Sequence, residues 1–160
     1  MTDCLVIMGS KSDLEVARAC GEVFDKLGVA WKMTVSSAHR SPDRTERIVR
    51  EGEADGVKVF ICVAGMAAHL AGAVAARSIK PVIGIPVSGT ALGGMDALLS
   101  TVQMPPGVPV ATVSLDKAGA KNAAWLAVEI LAVSDAALAE RLRGEREKAR
   151  EAVEIAASEI

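Results

Sequence analysis

Residues 4–15 read Cys4-Leu5-Val6-Ile7-Met8-Gly9-Ser10-Lys11-Ser12-Asp13-Leu14-Glu15, and this stretch decides the fold. An unbroken apolar run of this length suits a short strand buried on both faces, as in a parallel sheet covered by helices. Gly9 ends the run. Ser12 and Glu15 then stand at the spacing of a capping box, with serine at N-cap and glutamate at N3. Leu14, Ala17, Val23, Phe24 and Leu27 mark one helical face, and Gly28 is placed to close the helix. A buried strand, a polar turn and an amphipathic helix make one βα unit.

The unit recurs along the chain. Trp31 to Val35 is a second strand, followed by a helix opened by Ser41 as cap, Pro42 at N1 and Asp43 in the first turn. Val57 to Val63 predicts strand three and Ala67 to Ala76 helix three. Pro81 to Ile85 predicts strand four, followed by a Gly-rich loop, Ser88 to Gly94, and a helix over Met95 to Val102. Val108 to Val113 predicts strand five and Ala118 to Leu131 its helix, after which Ser134 caps a last helix. Five such units in alternation predict a three-layer α/β/α sandwich: a flavodoxin-like five-stranded parallel sheet of order 2-1-3-4-5, plus a long C-terminal helix. The expected organisation is a single domain over 1–160, with a core over 1–132 and the final helix over 134–158. That helix alternates acids and bases from Glu140 to Glu151, with Leu138, Leu142, Val153 and Ile155 among its few large apolar residues. It reads either as a solvated helix laced by i,i+4 pairs or as an arm packed on a neighbouring subunit. The Ala-rich, aromatic-poor composition favours close helix contacts and a homo-oligomer.

Composition excludes several functions. Apolar residues are 51% of the 160, enough to bury a core, so a disordered chain is ruled out. Lys plus Arg is 18 against 20 for Asp plus Glu, with no basic stripe for a duplex, and aromatics at 2% leave few rings for stacking single strands. No nucleic-acid partner is expected. The cysteines Cys4, Cys20 and Cys62 lie far apart with no C-x-x-C, which suggests reduced thiols in the cytoplasm. Two histidines make no metal cluster, and no cofactor motif is present. Residues 59–76 are 18 uncharged residues in a row, but they contain His69 and divide at Gly65, so strand, turn and helix is preferred to a membrane span.

In an open α/β sheet, ligands bind beyond the carboxyl ends of the strands, where strand order reverses. Here that point falls between strands one and three, with strand two beside strand one. Loop one, Gly9 to Asp13, offers the hydroxyls of Ser10 and Ser12, backbone N–H groups and the Asp13 carboxylate at a helix start. It reads as an ordinary cap or as a cradle for a phosphate or a sugar. Loop two, Ser36 to Ser41, pairs Arg40, a bidentate phosphate holder, with Ser37, Ala38 and His39, the better proton carrier. Loop three, Ala64 to Leu70, has Gly65 and small neighbours that let a flat ligand approach, with His69 near the helix start. The loop over 88–94 is mobile by composition, a lid or a subunit contact. No nucleophile elbow appears. A phosphoribosyl-type ligand and one or two histidines point to proton transfer on a heterocycle.

At these loops the chain resembles the 5-(carboxyamino)imidazole ribonucleotide mutase family of purine biosynthesis. The matching stretches are M-G-S-K-S-D at Met8 to Asp13, S-A-H-R-S-P-D at Ser37 to Asp43 and A-A-H-L at Ala67 to Leu70. They continue with Q-M-P-P-G-V-P-V-A-T at Gln103 to Thr112 and K-A-G-A-K-N-A at Lys117 to Ala123. The resemblance implies a homo-octamer with sites at subunit interfaces. It implies that Ser10 and Asp13 bind substrate, Asp13 through the ribose, and that Ser12, Ser37 and Arg40 hold the phosphate. His39 would be the general acid/base, with Gly65, His69 and Leu70 lining the base and carboxylate pocket beside Ala38 and Ala64.

The implied reaction converts the carbamate ribonucleotide to the ring carboxylate. The carbamate loses CO2 in a closed site, a ring carbon attacks that CO2, and His39 removes the ring proton. No ATP is needed, consistent with the missing Walker motif. The family commonly reads G-A-G-G-A-A-H-L-P-G where this chain has Val63 to Gly72, so Val63, Met66 and Ala71 replace Gly, Gly and Pro. These departures leave two alternatives open: a sister carboxylase that adds free CO2 to aminoimidazole ribonucleotide, and a non-catalytic nucleotide-binding module. The retained A-A-H-L favours the mutase.

Overall fold

The alternation of short apolar runs with amphipathic helices becomes a single twisted sheet in the computed structural model, which describes residues 1–160. The strands are β1 Cys4–Met8, β2 Trp31–Val35, β3 Val59–Gly65, β4 Val82–Val87 and β5 Ala111–Thr112. All pair in parallel, in the order β2-β1-β3-β4-β5. The helices are α1 Leu14–Leu27, α2 Pro42–Ala54, α3 Leu70–Ala75, α4 Met95–Val102, α5 Asp116–Ala132 and α6 Ala136–Ser158.

The period of two along each strand divides the core into two layers. Cys4, Val6 and Met8 of β1 join Val59, Ile61 and Val63 of β3 beneath α1, α5 and the start of α6. Leu5 and Ile7 point the other way, with Phe60, Cys62 and Val82, onto α2 and α3. Small residues bring α1 and α5 close, as the Ala-rich composition predicts: Ala17, Cys20, Ala120 and Ala124 are all fully buried. Cys20 Sγ donates to the Ala120 carbonyl at 3.3 Å. α6 packs through Leu138 and Leu142, while Val153 and Ile155 stay exposed.

Several boundaries depart from the sequence-based expectation. The capping box lies one step earlier than Ser12 and Glu15. Ser10 is the cap and Asp13 its partner, opening a 3-10 turn over Lys11–Asp13 before α1 begins. Glu15 pairs with Arg18 instead. Ser41 occupies the cap of α2 without a side-chain bond, and Asp135, rather than Ser134, caps α6 through Oδ1, which accepts from Leu138 N at 2.9 Å. β2 is an edge strand with Met33 and Val35 exposed, so it is not covered on both faces. β5 shrinks to Ala111–Thr112 at the other edge, where Pro109 has no N–H to give a ladder. β3 starts two residues late, because the Val57 amide closes the end of α2 on Gly52 O. It also runs on to Gly65, as β4 runs on to Val87, where the two pair. α3 is correspondingly short. The uncharged segment 59–76 is thus divided between β3 and α3, and no helix is long and apolar enough to cross a membrane.

Candidate functional site

The carboxyl ends of β1, β2 and β3 release their loops into one crevice, at the switch point between β1 and β3. The crevice is a cavity of about 560 Å³, and Ser10, Ser12, Asp13, Ser37, Ala38, His39, Arg40, Ala64, Gly65, His69 and Leu70, every site residue expected from the sequence, line it.

Loop one is rigid. Asp13 Oδ2 accepts from Ser10 N at 3.1 Å and Oδ1 from Ser12 Oγ at 3.2 Å, while Ser10 Oγ accepts from Ser12 N at 3.3 Å. Both carboxylate oxygens are therefore oriented, and each keeps a lone pair for a ligand hydroxyl. Burial pushes the Asp13 carboxyl up, opposed by the bonds from Ser12 and Ser10.

Loop two is anchored below and free above. Ser36 N donates to Met8 O at 2.8 Å, and the buried Ser36 and Thr45 hydroxyls share a 2.9 Å bond. Ser41 N returns to Ser37 O at 2.8 Å, closing a turn that lifts His39 and Arg40 into the open. Ser37 Oγ accepts from both Arg40 N and Arg40 Nε, at 3.2 and 3.3 Å.

Loop three brings His69 over His39. The imidazoles stack with centroids 5.1 Å apart and planes 18° from parallel. Gly65 fits because a Cβ there would come within 3.3 Å of the Val87 carbonyl of the neighbouring strand. The stacked pair, the Arg40–Ser37 couple and Asp13 give the cavity a proton carrier, an anion holder and a hydroxyl acceptor in one space.

Sequence reasoning missed Gly9, Met66, Ala67, Val87 and Gly89 as lining residues. Met66 and Ala67 belong to a loop already singled out. Val87 and Gly89 enter because β4 extends past Ile85. The 88–94 loop is pinned: Ser88 N donates to Asp116 Oδ1 at 2.9 Å, Ser88 Oγ bonds Oδ2, and Thr90 Oγ1 donates to Asp96 at 3.0 Å. The motifs at 103–112 and 117–123 do not line the cavity. Met104 covers Gly72, and Gly119 sits where a Cβ would strike the Ser114 carbonyl.

A larger concavity of about 880 Å³ opens at the opposite end, around Arg77, Lys80 and Gly107, and contains none of the expected residues. The three thiols do not compete as nucleophiles: burial pushes Cys4 and Cys20 up to about 12, and raises Cys62 as well. No His, Cys, Asp and Glu side chains gather in threes to hold a metal.

The family model described as AIR carboxylase matches residues 3–152. This chain belongs to that family. Among its relatives, the N5-carboxyaminoimidazole ribonucleotide mutase of Methanocaldococcus jannaschii is 50% identical over 148 residues, covering 92% of this chain and 90% of that protein. The mutase of Bacillus subtilis is 49% identical, covering 92% and 91%, and that of Escherichia coli K12 is 47% identical, covering 86% and 81%. The crystal structure of Treponema denticola PurE superposes with a TM-score of 0.91 at 27% identity, covering 100% of this chain and 99% of that one. The AIR carboxylase family fold is therefore the fold of the whole chain, α6 included.

Proposed function

We propose that the protein is an N5-carboxyaminoimidazole ribonucleotide mutase of purine biosynthesis, producing 5-amino-4-carboxyimidazole ribonucleotide. The observation that carries this reading is the convergence of the first three βα loops on one cavity that holds Asp13, Arg40, His39 and His69 together. Mutase relatives near 50% identity over nine-tenths of the chain support it.

In this reading Ser12, Ser37 and Arg40 take the phosphate, and Ser10 and Asp13 the ribose. Ala38, Ala64, Gly65, His69 and Leu70 surround the heterocycle. His39 gives a proton to the exocyclic nitrogen as the carbamate C–N bond breaks and CO2 leaves. C4 of the aminoimidazole then attacks the CO2 carbon, and His39 takes the C4 proton, restoring its first state. Protons balance over the cycle, and no external acid is consumed. The stack of His69 on His39 at the border of the cavity supports this role. CO2 carries no charge to grip, so closure and close packing retain it.

We further propose that the protein works as a homo-oligomer, of eight subunits by resemblance, in the cytoplasm. Leu92, Met95, Leu99 and Val102 form an exposed apolar stripe on and before α4, and the 134–158 helix ends in the exposed Val153 and Ile155. Three free, buried thiols suit a reducing compartment.

Progress curves with purified protein test the activity. The carbamate ribonucleotide should convert to the ring carboxylate far faster than without protein. Conversion only of aminoimidazole ribonucleotide with bicarbonate would instead establish the free-CO2 carboxylase, the reaction after which the family model is named.

A further inference from the structure

Resting on the mutase reading, we propose that Thr45 is a positioning residue for the turn that carries Ser37, His39 and Arg40, acting through its buried hydroxyl bond to Ser36. The buried polar side chains are Thr2, Asp13, Ser36, Thr45 and Thr101. Thr2 reaches the exposed Asp55, Thr101 turns back to the Ala97 carbonyl of its own helix, and Asp13 belongs to the cavity. Ser36 and Thr45, 2% and 1% exposed, are the two that bond each other, at 2.9 Å. Ser36 directly follows β2, and Thr45 stands early in α2. The pair therefore ties together the two elements between which the turn is strung.

Thr45 Oγ1 also donates to Ser41 O at 3.3 Å, so Ser36 is the donor within the pair. Ser36 N donates to Met8 O at the end of β1, and Ser41 N to Ser37 O, both at 2.8 Å. One run of bonds thus passes from β1 through Ser36 and Thr45 to Ser41 and back to Ser37. The two feet of the turn, Ser36 and Ser41, are joined through a single oxygen, Thr45 Oγ1. Above them His39 and Arg40 are exposed, and Ala38 is the residue of the turn that packs on a core layer. Ala38 sets the depth of the turn, and the hydroxyl pair sets the spread of its feet. Such a pair adds little to stability, because each hydroxyl gives up water for its partner, and two apolar groups of the same shape can serve as well. What it adds is direction: a hydrogen bond has a preferred length and angle, whereas an apolar contact tolerates sliding. Direction matters here, since misplacing a reacting group by about 1 Å can cost about 10²-fold in rate.

The test compares the protein with its Thr45→Val, Thr45→Ser and Ser36→Ala/Thr45→Val variants, by steady-state kinetics on the carbamate ribonucleotide and by melting temperature. Thr45→Val strands the buried Ser36 hydroxyl and should lower the Tm, and the double variant, with both partners apolar, should return it to near the original. Activity should not return with it. In both variants kcat should fall about tenfold and KM rise about fivefold, because His39 and Arg40 ride on the same turn. Thr45→Ser keeps the hydroxyl and should bring both constants to within about twofold of the original. A merely structural role would lower the active fraction instead, which cuts kcat per mole of chain and leaves KM alone. Where Thr45→Val does not fold, the double variant carries the same comparison. A double variant with the original kcat and KM overturns the proposal alone, as does a loss confined to kcat that recovers together with the Tm. An original protein that makes no ring carboxylate overturns the mutase reading, and this proposal with it.

Discussion

Arg40→Ala probes the phosphate end of the cavity most directly. The Arg40 guanidinium is steered by its own turn, because Nε donates to Ser37 Oγ at 3.3 Å while the backbone N–H donates to the same oxygen at 3.2 Å. Held through Nε, it keeps both terminal amino groups free to take two phosphate oxygens in the fork geometry. A hydrogen bond to a charged group contributes about 1.5–3 kcal/mol, which at about 1.4 kcal/mol per decade is about 12- to 140-fold in kcat/KM. Arg40 is exposed, so salt screening places the expected loss near the lower figure, about 10- to 30-fold at physiological ionic strength. The phosphate does not change during carboxyl transfer, so the contact is uniform binding and the loss should appear in KM with kcat retained. Ser37→Ala removes both the tether, a bond donated by a charged guanidinium, and the hydroxyl assigned to the phosphate, and should raise KM about tenfold. Arg40→Lys keeps the charge without the fork and should fall between. Steady-state kinetics on the carbamate ribonucleotide at several salt concentrations decide the matter. A KM for Arg40→Ala within about twofold of the original, or a loss confined to kcat, would refute the placement of the phosphate.

His39→Asn removes the proton carrier while keeping a planar polar group, and should lower kcat about 10²–10⁴-fold with binding retained; near-full activity would move the acid/base role to His69. Asp13→Asn couples stability to pH. Burial raises the Asp13 carboxyl, so the folded state binds more protons than the unfolded state just above the ordinary aspartate value of about 3.9. Stability from this group is present below that value and is lost as pH rises through the folded pKa. The Tm of Asp13→Asn should therefore gain on that of the original protein as pH rises through this window, while activity falls with the ribose contact; a difference independent of pH contradicts the assignment. Gly84→Ala places a Cβ 2.3 Å from Thr101 Cγ2 and 3.0 Å from Val110 Cγ1, an overpacking expected to cost about 1–3 kcal/mol in chemical denaturation.

The βα alternation was legible because side chains impose it locally, and the sheet order and the cluster of loops followed from the common flavodoxin-like arrangement of such units. Uninterrupted apolar runs such as Cys4 to Met8 can only be covered strands, and the turns after them must carry the polar residues. Boundaries were less legible, for reasons visible at single residues. Ser12 and Glu15 have a capping spacing, but Ser10 and Asp13 have the same spacing with a short acid. The shorter side chain is the one that reaches back to the cap N–H, at 3.1 Å. Asp135, three residues before Leu138, accepts from its N–H, while the Ser134 hydroxyl turns back to Leu131 O. β5 read as six residues because valines and Ala111 look strand-like, yet Pro109 and an edge position left pairing only at Ala111 and Thr112.

What no local pattern carries is a conformation imposed from outside the segment. Met66 and Asp116 take left-handed backbone without being glycine; Met66 stands where the resembled family has glycine, whereas nothing in the sequence marks Asp116. The site itself makes the same point from the other side. The cavity at the amino ends of the strands is larger than the one at the carboxyl ends, yet it gathers no histidine, and its carboxylate–hydroxyl contact is the single exposed pair of Glu53 and Ser78. Volume alone would choose the wrong end. Parallel strands aim every βα turn, with its unpaired N–H groups at a helix start, toward one edge of the sheet, and the reversal between β1 and β3 separates the flanking helices there. Asp13, Arg40, His39 and His69 are far apart in the chain but adjacent at that edge, so topology, acting on residues the sequence already marked as polar, assembles the chemistry.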